Sequence, residues 1–116
     1  MSSHHKIDYV EFPSTDLKAS KIFFNRVFGW GFMDYGPDYA SFSGEGINGG
    51  FYTSALKGSV ATGSALVVIY SNNIEETAKQ VQQAGGKIVK DIFSFPGGRR
   101  FHFTEPGGTE FAVWSE

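Results

Sequence analysis

Apolar residues recur along this chain at two periods, and the switches between the periods mark out its elements. From Ile7 to Phe12 they alternate, with Ile7, Tyr9 and Glu11 on one face and Asp8, Val10 and Phe12 on the other, the period of an extended strand. Pro13 is expected to end it. Ser14-Thr15-Asp16 then offers side-chain oxygens for the free N–H groups of a first helical turn. Over Leu17 to Phe28 the apolar positions Leu17, Phe23 or Phe24, Val27 and Phe28 return at helical spacing, leaving Lys18, Lys21, Asn25 and Arg26 outside. Gly29 turns the chain. Three strands are predicted to follow, over Trp30–Tyr35, Tyr39–Ser43 and Ile47–Tyr52, the last weakened by Gly49-Gly50.

Thr53 to Gly63 is small, polar and rich in Gly and Ser, the composition of a linker. Beyond it the pattern starts again. Ser64 to Tyr70 is strongly β-forming, and Asn73 with Glu76 three residues on has the form of a capping box. Ile74, Ala78, Val81 and Ala84 share one helical face, with Gly85 suited to the left-handed cap. Strands are predicted at Lys87–Phe95, Arg99–Thr104 and Thr109–Trp114, separated by Pro96-Gly97-Gly98 and Glu105-Pro106-Gly107-Gly108. Asp16 and Gly29, like Asn73 and Gly86, lie thirteen positions apart, so βαβββ occurs twice at a spacing of fifty-seven. The repeat is one of punctuation and period rather than of identity. The organisation is a single domain over 1–116, with module one at about 6–53, a linker at about 54–63 and module two at about 64–115.

Composition narrows the chemistry. The chain has 116 residues and no cysteine, which excludes a disulfide framework, a thiolate zinc site and a cysteine nucleophile. Its formal charge is −2, with five basic and six acidic residues in each half, so no basic stripe points to nucleic acid. No apolar run spans a bilayer, and Met1 to Lys6 lacks the core of a secretory signal, so a cytoplasmic location without membrane contact is the expectation. Twelve Phe, five Tyr and two Trp are more rings than a core of this size needs, and some are expected to line a cavity.

Two βαβββ units, with TDLKASKIFFNRVFGW in the first and FHFTEPGGTEFAVW closing the second, resemble the vicinal oxygen chelate superfamily, which includes glyoxalase I, extradiol dioxygenases, and fosfomycin and bleomycin resistance proteins. The resemblance covers Ile7 to Trp114, with Glu105-Pro106-Gly107-Gly108-Thr109 standing where that family usually has Asp-Pro-x-Gly-Asn. It implies an α+β fold in which two βαβββ modules form curved mixed sheets around a cleft, helices on the convex side, and it implies a homodimer. The family's metal enzymes hold a divalent ion with His, Glu or Gln side chains. The corresponding positions here, on the family's spacing, are Tyr9, Leu66 and Ala112. None suits the metals in question, so no metal or other cofactor is expected at the usual place.

If Tyr9 faces the cleft, alternation brings Glu11 with it, and likewise Leu66, Val68 and Tyr70, then Glu110, Ala112 and Trp114, with Arg100 and His102 beside them while Phe101 and Phe103 turn to the helices. Such a wall suits a small organic ligand. The opposing reading makes Tyr9, Tyr70 and Trp114 ordinary core rings and puts Glu11 and Glu110 on a solvated rim. Glu11, His102 and Glu110 are also the candidates for a displaced divalent metal site, or for a general base at His102 paired with either carboxylate. Gly49-Gly50 and Gly107-Gly108 read as turns and bulges rather than phosphate cradles, since neither opens a helix after a strand. Arg99-Arg100 is either a solvated pair or an anion contact.

The resulting expectation is a glyoxalase- or bleomycin-resistance-like protein that binds a small molecule without the usual metal ligands. The alternatives are a metal-dependent lyase or dioxygenase with displaced ligands, and a non-catalytic structural or regulatory partner.

Overall fold

The computed structural model describes residues 2–116. In chain order the elements are β1 (Tyr9–Ser14), α1 (Leu17–Phe28), β2 (Met33–Asp34), β3 (Tyr39–Phe42), β4 (Asn48–Thr53), β5 (Val67–Tyr70), α2 (Ile74–Gln83), β6 (Lys87–Phe95), β7 (Gly98–Thr104) and β8 (Glu110–Ser115). They form two four-stranded mixed sheets, β1-β4-β3-β2 and β5-β8-β7-β6, in which β1 runs parallel to β4 and β5 parallel to β8. The α+β architecture of two βαβββ units is thus the one the periodicity predicts. No described helix is long and apolar enough to cross a membrane.

The repeat is reproduced atom by atom where each helix begins. The Asp16 carboxylate accepts from the N–H of Ala19 at 3.1 Å, and the Asn73 amide oxygen accepts from that of Glu76 at 3.2 Å. Each such cap stabilises its helix by about 1 kcal/mol. The backbone N–H of each capping residue donates to a serine two positions earlier, Ser14 or Ser71. At Asn73 this replaces the return contact of a capping box, so the Glu76 carboxylate is not the acceptor for the Asn73 N–H. Gly29 (φ 75) ends α1 and Gly85 (φ 99) follows α2, both in the left-handed region that favours glycine.

Alternation selects which strand residues meet the helices. Phe12, Phe42, Phe51, Phe101, Phe103, Phe111 and Val113 join Leu17, Phe23 and Phe24 of α1 and Ile74 and Val81 of α2 in one buried cluster that crosses from one module to the other. Ring centroids of Phe12 and Phe111 lie 4.8 Å apart, Phe24 and Phe111 5.0 Å, and Phe23 and Phe103 5.7 Å. These are among the aromatic contacts that hold the halves together, and burying each ring is worth about 2–3 kcal/mol. Most of the surplus phenylalanine is therefore core.

Several boundaries differ from the sequence reading. Pro13 lies inside β1 rather than ending it. β1 is the edge of its sheet, bonded only to β4, where a residue without an N–H is tolerated. Only Met33–Asp34 of the predicted Trp30–Tyr35 strand pairs, because Trp30 turns into the core at 7% exposure. Leu66 falls just outside β5, which starts at Val67. Gly49-Gly50 are neither turn nor bulge but regular members of β4. A Cβ on Gly49 would meet the Val10 carbonyl at 2.4 Å, and one on Gly50 the Tyr39 hydroxyl at 2.3 Å. The linker is ordered, with a 3-10 turn at Val60–Thr62.

Candidate functional site

The sheet faces turned away from the helices carry one hydrogen-bonded chain in each module. In module one the Tyr39 side chain lies over Gly50, and its hydroxyl donates to Glu11 Oε2 at 2.8 Å. A phenol has one proton to give, so the 2.6 Å contact between the Tyr39 and Tyr9 hydroxyls is a donation from Tyr9. The order Tyr9 to Tyr39 to Glu11 leaves the Tyr9 oxygen with acceptor capacity and no donor of its own. Burial, then the hydrogen bonds to Tyr9 and Glu11, raise the Tyr39 pKa well above that of an ordinary tyrosine, so the phenol keeps its proton. Tyr9 itself is 43% exposed, open to a ligand.

In module two the chain is Arg100, His102, Glu110. Arg100 has only donors, so His102 Nε2, 3.0 Å from Arg100 Nη2, accepts. His102 Nδ1 therefore carries the ring proton and donates to Glu110 Oε2 at 2.8 Å. The other Glu110 oxygen accepts from the Val60 backbone N–H at 3.0 Å, which ties the linker down over the carboxylate. His102 is 6% and Glu110 7% exposed. Glu110 is thus buried rather than on a solvated rim, because the linker folds onto β8. Both ring nitrogens of His102 are engaged inside the protein. Arg100 stacks near Phe93 and Phe95, with its Nε buried and unpartnered among the described residues. Arg99 instead forms an exposed ion pair with Glu75.

The ten residues expected to line one cleft are distributed among several places. Tyr9 lines a hollow of about 800 Å³ whose other walls include Phe32, Met33, Tyr35, Ser41 and Asn48. Glu11 lines a separate hollow of about 480 Å³ between β1 and the linker. Val68 and Tyr70 line a third, of about 430 Å³, between β1 and β5. Leu66, Arg100, His102, Glu110, Ala112 and Trp114 line none of these three, and Ala112 is fully buried. Met33, Tyr35, Ser41 and Asn48 were not singled out from sequence. Alternation gives one signal for Ser41, since it lies opposite to the buried Ala40 and Phe42.

Leu66 and Ala112 have no side-chain donor atom, and the Tyr9 hydroxyl gives its proton to Tyr39. Among the described residues no three His, Asp or Glu side chains come together as a cation site. Glu11 is bonded to Tyr39 rather than joined to His102 and Glu110.

A family model described as Glyoxalase/Bleomycin resistance protein/Dioxygenase superfamily matches residues 6–113. Among solved structures, a glyoxalase-related enzyme from Fulvimarina pelagi aligns with a TM-score of 0.79 at 16% identity, covering 97% of this chain and 88% of that one. The lactoylglutathione lyase from Agrobacterium tumefaciens aligns at 0.72 and 13% identity, over 98% and 96%. TioX from Micromonospora sp. ML1 aligns at 0.70 and 18% identity, over 95% and 98%. At these identities the structural likeness is one of fold. No curated protein sequence matches the chain.

Proposed function

Because the chain belongs to the Glyoxalase/Bleomycin resistance protein/Dioxygenase superfamily, we propose that it is a small-molecule-binding protein that takes an organic ligand into the hollow beside Tyr9 without help from a metal. The observation that carries this reading is the hollow itself. Its volume of about 800 Å³ is at the scale of small-ligand sites, and rings and a thioether line it together with Ser41 and Asn48. The hydrogen-bonded order of Tyr9, Tyr39 and Glu11 adds a direction. A ligand that stacks in the hollow and offers an N–H or O–H to Tyr9 completes the chain, whereas one that offers only acceptors does not. Sequestration or sensing fits a site that presents the oriented Tyr9 hydroxyl and, among the described residues, no cation-binding trio.

The test is a thermal-shift screen of aromatic amides and phenols in EDTA, repeated with Ni, Zn or Mn and followed by calorimetry. Ligands with a donor group are expected to raise the melting temperature equally with and without metal. Tyr9→Phe removes the oxygen but keeps the ring, and should weaken their binding about five- to tenfold, the worth of one hydrogen bond. Stoichiometric metal uptake, or ligand shifts that appear only with metal, would overturn the reading in favour of a lyase or dioxygenase.

A further inference from the structure

The duplicated modules meet along a seam that is closed at one end and open at the other. Strand register makes the ends comparable: Glu11 pairs with Gly50 in module one, and Val68, fifty-seven residues on, pairs with Ala112 in module two. On this correspondence the β3–β4 hairpin, Gly44–Ile47, is the counterpart of the β7–β8 hairpin, Glu105–Thr109, and is one residue shorter. The second hairpin is bonded across the seam to the start of α1. Gly107 O accepts from the Thr15 N–H at 2.9 Å, Thr109 Oγ1 donates to Pro13 O at 2.8 Å, and Glu105 takes the Ser20 hydroxyl at 2.6 Å. In the first hairpin Gly44 stands where Glu105 would be and Ile47 where Thr109 would be, so neither side chain can make the corresponding bond. Among the described residues no hydrogen bond ties this hairpin to the start of α2.

What remains there is a cavity of about 430 Å³ between β1 and β5. Its walls are Val10, Phe12, Trp30, Phe42, Val67 and Ile69, core side chains of both modules, and it is shared with the hollow beside Tyr9 only through Phe42 and Glu45. Glu45 is the sole charged side chain in the lining, and its carboxylate has no ion-pair or hydrogen-bond partner among the described residues. An apolar slot of ligand size with one unpaired carboxylate at its edge selects by shape and by charge.

We infer that the seam cavity between β1 and β5 is a second ligand site, for a planar apolar ring bearing a cationic amine, with the ring between the two modules and the ammonium at Glu45. It stands apart from the function proposed for the Tyr9 hollow, and either can fail alone.

Indole, tryptamine and indole-3-acetate share one ring and differ in charge, so titrating each into the 15N-labelled chain and following amide shifts tests place and preference together. Tryptamine should move the amides of Val10, Ile47, Val67 and Ile69 and bind about fivefold or more tighter than indole, with indole-3-acetate weakest. Glu45→Gln should erase the gap between tryptamine and indole while leaving indole in place. Val67→Phe, which fills the slot, should abolish both. Ile47→Trp plugs the slot from the exposed hairpin, and should do the same if Val67→Phe proves unfolded by its amide dispersion. No saturable shift at these amides, shifts at Tyr9, Met33 and Asn48 instead, equal affinities for all three compounds, or seam shifts that follow protein concentration as in self-association would each overturn the assignment.

Discussion

The starts of α1 and α2 are built from the same parts and put to different uses. Ser14 meets Ser20 at 2.8 Å as Ser71 meets Thr77 at 2.7 Å, beside the matching Asp16 and Asn73 caps. At α2 the chain of contacts stops there. At α1 it continues through Ser20 into Glu105, which is 2% exposed and also accepts from the N–H groups of Gly107 at 2.7 Å and Thr109 at 3.0 Å. The helix start is thus a local property that each module carries by itself. Closure across the seam depends on a carboxylate eighty-five positions away from the serine it holds.

The comparison breaks most completely if Glu105 is removed. Glu105→Ala leaves three buried donors without an acceptor and should cost about 3 kcal/mol or more in urea unfolding. Ser43→Ala, at the exposed base of the opposite hairpin, should change stability by less than about 0.5 kcal/mol. Next in size, Ser20→Ala should cost about 1–2 kcal/mol, and a double-mutant cycle with Glu105→Ala should show coupling of about 1 kcal/mol. The pH dependence is gentler. Burial raises the Glu105 carboxyl above the ordinary glutamate value of 4.5, and its hydrogen bonds offset this only in part. Folding then takes up protons, so the contribution of Glu105 to stability is at its fullest below pH 4.5. It declines as pH rises toward the raised folded value and is level beyond it. Subtracting the urea stability of Glu105→Gln at each pH from that of the natural chain should leave this falling step, and a flat difference would refute it. Among the substitutions at the helix starts the smallest effect is that of Thr77→Ala, which should cost about 0.5 kcal/mol and show no coupling to Glu105, as expected if the second cap ends where it stands.

Local signals were the legible ones. Leu17–Phe28 and Lys87–Phe95 occupy the spans their patterns predict, and Phe101 and Phe103 are buried toward the helices as alternation requires. Contacts set by tertiary approach were not. Glu105 sits in a motif recognisable as a hairpin, yet nothing near it in sequence announces that Ser20 and two backbone N–H groups converge on it. Glu110 reads as a cleft or a rim residue until Val60 is known to cover it. Tyr39 reads only as the first residue of a strand, and the approach of its hydroxyl to Glu11 and Tyr9 is what shows that it orders the face beside the hollow that Tyr9 lines. Four of the ten expected cleft residues separate into three hollows and the other six line none of them, because the linker and the two hairpins, none of which has a periodic pattern, decide where space is left.

The ring of Tyr39 laid over Gly50 has a bearing on how this face can vary. A methyl group at position 50 would collide with the tyrosine hydroxyl, so any enlargement there must be matched by a shorter or rerouted side chain at 39, and the proton order reaching Tyr9 is rewritten in the same stroke. In a mutational library the two positions are therefore one variable, to be randomised together.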